Sequence, residues 1–254
     1  VIAVLAAGMT LVIITGGIDL SVGSLIALSA VLSTWLIREY AGATAATPLG
    51  MVLCCLAGVA VCAAVGGLSG VVVSRFDVPP FIITLGVMLV ASGAASRLSD
   101  RQSIYQLPDS FTRLGVGADL FGVPNSVVLT AALYVVVHVV LTRTAFGRYV
   151  YAVGGNAEAA RLAGVRVAAV RVAVYAVNGL LAGLGGVVMA SQLKSGDPKY
   201  GKMYELQVIA AVVVGGTSLA GGDGSVVRTL LGALVIGVIG NGMNLMGIES
   251  DTQN

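Results

Sequence analysis

Asp19 is the one charged side chain among the first 37 residues of the sequence. It stands in Thr15-Gly16-Gly17-Ile18-Asp19-Leu20-Ser21-Val22-Gly23-Ser24, between two apolar runs. A carboxylate among apolar neighbours serves a proton, an ion or a polar solute, or it serves the backbone. In hydrocarbon it costs from about 2.5 kcal/mol upward, so it is held for a reason. Gly16 and Gly17 weaken a helix just ahead of it. Asp19 can then cap a helix beginning near Leu20, with Ser21 adding acceptor capacity at the first turn. Two readings stand side by side. Either Gly16, Gly17, Asp19, Ser21 and Gly23 form a capped helix break or gate, or Asp19 touches a solute.

Two further stretches break the apolar pattern. In Phe146–Val167, Glu158-Ala159-Ala160 followed by Gly164 reads E-A-A-x-x-x-G. Asn156 can cap a short helix over Ala157–Ala163 and Gly164 can end it. By composition alone this is an ordinary connector. In Val212–Gly237 the pairs Gly215-Gly216 and Gly221-Gly222 bracket Thr217 and Ser218. A phosphate loop would need G-x-x-x-x-G-K-[ST], and its Lys is missing, so a sharp turn between two segments is expected. The sequence shows no cluster of Cys, His and carboxylate with catalytic or metal-binding spacing. His138, the lone histidine, is expected to be buried and hydrogen-bonded. Cys54, Cys55 and Cys62 share one apolar run and make neither a disulfide framework nor a zinc set.

The elements that must position these residues are membrane helices. The 254 residues are 57% hydrophobic and 10% charged, with a mean hydropathy of +0.98, where soluble domains carry about 25% charged residues. The net charge of +2 and the lack of a basic stripe exclude nucleic acid as a partner. Uncharged runs predict eight spans: Val1–Ile18, Leu20–Ile37, Leu49–Ser74, Val78–Ser96, Leu120–Thr142, Val172–Leu193, Leu206–Gly222 and Thr229–Ile248. Uninterrupted runs mean helices, not alternating barrel strands. The fold class is therefore an all-α polytopic membrane protein, one domain over residues 1–254. Broken or re-entrant elements are expected near 15–24 and 206–225. Gly66–Gly70 and Gly179–Gly183 have the small-xxx-small spacing of closely packed helices. Val1 already lies in an apolar run, so at least one further helix is expected upstream.

The Lys/Arg bias sets orientation. Five arginines between Arg143 and Arg171 put that segment in the cytoplasm. Counting spans from there puts Arg97–Asp119 and Lys194–Glu205 outside, and Asp19 near a cytoplasmic helix end.

Four stretches in order carry a resemblance: GMTLVIITGGIDLSVGS (Gly8–Ser24), VPPFIITLGVMLVASG (Val78–Gly93), GRYVYAVGGNAEAARLAGV (Gly147–Val165) and AAVVVGGTSLAGGDGS (Ala210–Ser225). Together they resemble the permease subunits of bacterial ABC sugar importers of the ribose/xylose/arabinose/galactose type. The resemblance implies about ten helices in the intact subunit, one of them before Val1 and one after Asn254, in the inner membrane, as a pair of permease copies or related permeases. It also implies a cytoplasmic ATPase subunit that holds ATP and Mg, an extracytoplasmic sugar-binding protein, and no cofactor in this chain. It makes 143–171 the coupling segment, with Gly155, Asn156, Glu158, Ala159, Ala160 and Gly164 contacting the ATPase. A sugar path needs hydroxyls and amides, and Thr15, Ser21, Ser24, Asn178, Asn241 and Asn244 are its candidates. Two other readings make different predictions. A secondary transporter would use Asp19 as a proton or cation site and need no ATPase. A permease of the same superfamily would carry nucleosides or branched-chain amino acids.

Overall fold

The computed structural model describes residues 1–246, with the side chain of Asn244 outside the described set. Ten α-helices follow one another: α1 Ile2–Ile14, α2 Val22–Tyr40, α3 Pro48–Phe76, α4 Pro80–Leu98, α5 Asn125–Arg143, α6 Ala145–Gly155, α7 Ala157–Leu162, α8 Val167–Leu193, α9 Tyr204–Val214 and α10 Val226–Leu245. Among the described residues there is no strand, only two isolated bridges, Ile104–Gly196 and Leu120–Val123. Six helices (α2, α3, α4, α5, α8 and α10) are long and apolar enough to cross a membrane. The expected first and seventh spans are shorter helices: α1 has 13 residues and α9 has 11. At 1.5 Å per residue α9 is about 16 Å long, half the hydrocarbon thickness.

Local chemistry sets several ends. Thr47 accepts the Gly50 amide at 3.2 Å ahead of Pro48, the first residue of α3. Asp77 in the left-handed region closes α3, and Pro80 opens α4. Lys194, also left-handed, closes α8.

Helix α8 is the axis of the bundle, flanked by α1, α2 and α3. The two glycine pairs face each other across α3 and α8. A Cβ on Gly66 would strike the Tyr175 carbonyl and one on Gly179 the Cys62 carbonyl, while one on Gly183 would lie 2.9 Å from Cα of Val59. Helix α1 is buried almost throughout. Tyr134 of α5 donates to its Ala3 carbonyl (2.8 Å), and Thr10 pairs with Thr229 of α10 (2.9 Å). The outer faces of α3, α4, α5 and α10 expose Leu56, Leu68, Leu89, Val90, Val135, Leu231 and Val238. That is the surface a bilayer covers. His138 lies on this outer side of α5 and is exposed, contrary to the expected burial. The buried face of α5 carries Tyr134, Val137 and Leu141, and His138 sits beside the exposed Val135 and Val139.

The stretch 194–203 starts beside the other expected outside loop, where Ile104 and Gly196 exchange backbone hydrogen bonds, and then turns inward. It descends, non-helical, along α2, with Gly196 against Thr34 and Ala30 and Gly201 against Gly23 and Ile26. Two glycines let backbone meet backbone there, so α9 starts inside the bundle. The re-entrant element thus begins about ten residues before 206.

Candidate functional site

Between α1 and α2 the chain turns at Thr15-Gly16, with Gly16 at φ +75°, and runs without regular structure to Ser21. Three helices hold this segment. The Asp19 carboxylate accepts the Ser21 amide (2.8 Å) and the Ser21 hydroxyl (2.6 Å) on one oxygen. Its other oxygen accepts the Asn178 side-chain amide of α8 (2.8 Å). The Leu20 amide donates to Thr84 Oγ1 of α4 (3.1 Å), and that hydroxyl is within reach of the Pro80 and Ile18 carbonyls (3.1 and 3.4 Å). Gly17 lies under the Tyr175 ring of α8, where a Cβ would sit 2.6 Å from Oη. Gly23 abuts Gly201 and Glu205 at the start of α9.

This geometry corrects one expectation. Asp19 is not the N-cap of a helix starting at Leu20: α2 starts at Val22 and Ser21 is its cap, without a side-chain cap bond. Asp19 instead makes a local turn onto Ser21, as short acidic side chains do, and ties it to α8. As the span count expects, Asp19 lies between the end of α1 and the start of α2, beside the first turn of α4. It is nevertheless fully buried, tied to Asn178 of α8.

The proposed path residues separate. Thr15, Ser21, Ser24 and Asn178 are buried together around the break. Thr15 donates to the Val12 carbonyl (2.8 Å) and Ser24 to the Ser21 carbonyl (2.8 Å). Thr15 also borders a cavity of about 220 Å³ with Gly16, Gly17, Asp77, Arg171 and Tyr175. Asn178 Oδ1 and Tyr175 Oη are buried with no hydrogen-bond partner. Asn241 lies far from these, on a cavity of about 480 Å³ between α9 and α10 that Tyr204 and Gln207 share. The side chain of Asn244 lies outside the described residues.

The E-A-A-x-x-x-G segment folds by local rules. Asn156 ends α6 and caps α7, its Oδ1 accepting the Ala159 amide at 2.9 Å. Gly164, at φ +87°, follows the helix. Helix α7 covers Ala157–Leu162, one residue less than expected. Gly155, Asn156, Glu158, Ala159 and Gly164 are exposed, and Glu158 lies 3.6 Å from Arg161. Ala160 points inward and is buried. Leu162, 83% exposed, extends the outward face instead.

Sequence reasoning missed Thr84, Tyr175 and Glu205. Thr84 is the one hydroxyl in the first turns of α4 after Pro79-Pro80, and Tyr175 is three residues before Asn178, on the same helix face. Glu205 was assigned to an outside loop, which hid it. Among the described residues no group of three or more His, Cys, Asp or Glu could hold a metal.

The chain is similar to known transport proteins along its whole length. It is 42% identical to the ribose import permease protein RbsC of Escherichia coli (strain K12), over 98% of this chain and 76% of that protein. It is 40% identical to RbsC of Bacillus subtilis (strain 168), over 97% and 74%. It is 37% identical to the fructose import permease protein FrcC of Rhizobium meliloti, over 98% and 69%. No solved structure matches it. The family model described as "Branched-chain amino acid transport system / permease component" matches residues 1–254, and the chain belongs to that family of membrane permeases.

Proposed function

We propose that this chain is the membrane-spanning permease of an ATP-driven importer in the bacterial inner membrane. Its cargo is a monosaccharide, a ribose-like pentose or a hexose, delivered by an extracytoplasmic binding protein. Similarity to permeases named for ribose and fructose supports sugar over the amino acids in the family's description. ATP hydrolysis then belongs to a separate ATPase subunit, which holds ATP and Mg, and two permeases surround the path.

The observation that carries the coupling role is the geometry of α7. It is a capped helix of 6 residues that leaves Gly155, Asn156, Glu158, Ala159 and Gly164 to solvent. A short helix of small residues suits a groove in a partner. Buried Ala160 and half-buried Gly154 anchor it from behind. Asp19, with all its bonds made inside the bundle, acts as a structural tie at the helix break or gate. Asn241, Gln207 and Tyr204 face the larger cavity and suit a solute that needs hydrogen bonds without tight binding.

The test is transport in proteoliposomes. Sugar uptake should need ATP, the ATPase and the binding protein. Uptake by the permease alone under a proton gradient would instead support the secondary-transporter reading. Glu158→Lys should strip the ATPase from the permease while the membrane fold stays intact. The exposed Glu158–Arg161 pair it removes contributes under about 1 kcal/mol.

A further inference from the structure

Three stretches far apart in sequence meet at the inner end of α1. The Ile14 carbonyl accepts the Gly222 amide at 2.8 Å. Gly154, in the last turn of α6, lies against that same carbonyl so closely that a Cβ would clash with its oxygen. Gly221 and Gly222, at φ +84° and +77°, rest on the backbones of Gly154, Gly155 and Gly16. One turn earlier on α6, the Tyr151 hydroxyl donates to the Gly224 carbonyl at 2.9 Å.

The contacts among Ile14, Gly154 and Gly222 join backbone to backbone. No side chain lies between them to absorb a displacement by changing rotamer, and close-packed groups transmit strain. Helix α6 runs into α7 without a loop, since Asn156 closes one and caps the other. A movement of α7 therefore moves Gly154 and Gly155, and Ile14 with them. Ile14 ends α1, and the break of Thr15–Ser21 begins at the next residue, its far end tied to Asn178.

Resting on the proposed contact of α7 with the ATPase, we infer that Gly154, Ile14 and Gly222, braced by Tyr151, form a backbone junction that carries movement of α7 to the break at Asp19. They are positioning residues and act through the break. Gly154 is glycine because its Cα faces the Ile14 carbonyl, independently of any partner protein.

The experiment measures ribose imported per ATP hydrolysed, with the permease, its ATPase and a ribose-binding protein in proteoliposomes. Tyr151→Phe removes one hydrogen bond, and Gly154→Ala drives a methyl group into the junction. Gly86→Ala, with no atom within 4 Å of the new Cβ, is the control. Both junction variants should keep the ATPase bound and hydrolysing. The ratio should fall about fivefold in Tyr151→Phe, the size of one net hydrogen bond, and about tenfold in Gly154→Ala. It should be unchanged in Gly86→Ala. Should Gly154→Ala fail to assemble, the Tyr151→Phe ratio decides. A wild-type ratio in the junction variants, or import and hydrolysis falling in proportion, overturns the inference. Glu158→Lys with an intact ATPase complex overturns the docking reading beneath it, whatever the ratio.

Discussion

The break at Asp19 and helix α7 are both short interruptions of a membrane bundle, and they are built in opposite ways. The break has almost no local structure. Its irregular residues are held by Thr84 from α4, Asn178 and Tyr175 from α8, and Gly201 from the stretch before α9. Helix α7 is self-contained: Asn156 caps it, Gly164 follows it, and its outward face is solvent-exposed. An irregular backbone inside a bilayer must find every partner within the protein, because no water will serve. At the surface one side chain and solvent suffice. The first region is therefore fixed by the fold, and the second stands ready for a partner.

The sharpest way to break this contrast is to remove the tie at its centre. Asp19→Leu leaves the Ser21 amide, the Ser21 hydroxyl and the Asn178 amide without their acceptor. It should cost about 3 kcal/mol or more and deplete folded permease, read by thermal unfolding in detergent. Asp19→Asn sharpens the point. Asn178 Oδ1 has no partner, so a flip of that side chain can accept from the new amide. The fold should survive at a cost of about 1 kcal/mol. Transport lost in an assembled Asp19→Asn complex would assign the carboxylate a role beyond the tie.

A smaller effect is expected one contact away. Thr84→Val keeps the shape but leaves the Leu20 amide without its acceptor. That should cost about 1–2 kcal/mol and speed amide exchange at Leu20 and Ser21. Unchanged exchange there would mean that α4 does not hold the break.

The smallest global effect belongs to α7. Asn156→Ala should cost about 1 kcal/mol of local helix stability, with faster exchange at Ala159 and an unshifted unfolding midpoint. Asn156→Asp, which keeps a capping oxygen, should restore protection. A shifted midpoint in Asn156→Ala would show that α7 is built into the bundle after all.

What could be read from the residues follows the same division. The cap at Asn156 and the stop at Gly164 were legible because both act over a few residues. The glycine pairs of α3 and α8 were legible because their spacing is a helix period. Asp19 was legible as a costly group but not as a tie to Asn178, 159 positions away in sequence. The stretch 194–203 was placed outside by counting spans, against the pull of its three lysines. Its inward course along α2 was not legible, because it depends on Gly196 and Gly201 meeting backbone far away in sequence.

By itself the sequence determined an all-helical membrane permease, its family, and the self-capped helix α7, since hydropathy and capping are local properties of the chain. Only the tertiary structure decided that Asp19 sits deep in the bundle and that α9 begins inside it. It also decided that Ile14, Gly154 and Gly222 share one point. Those outcomes depend on which backbones can approach closely, and that is settled by glycines and hydrogen-bond partners that lie far apart in sequence.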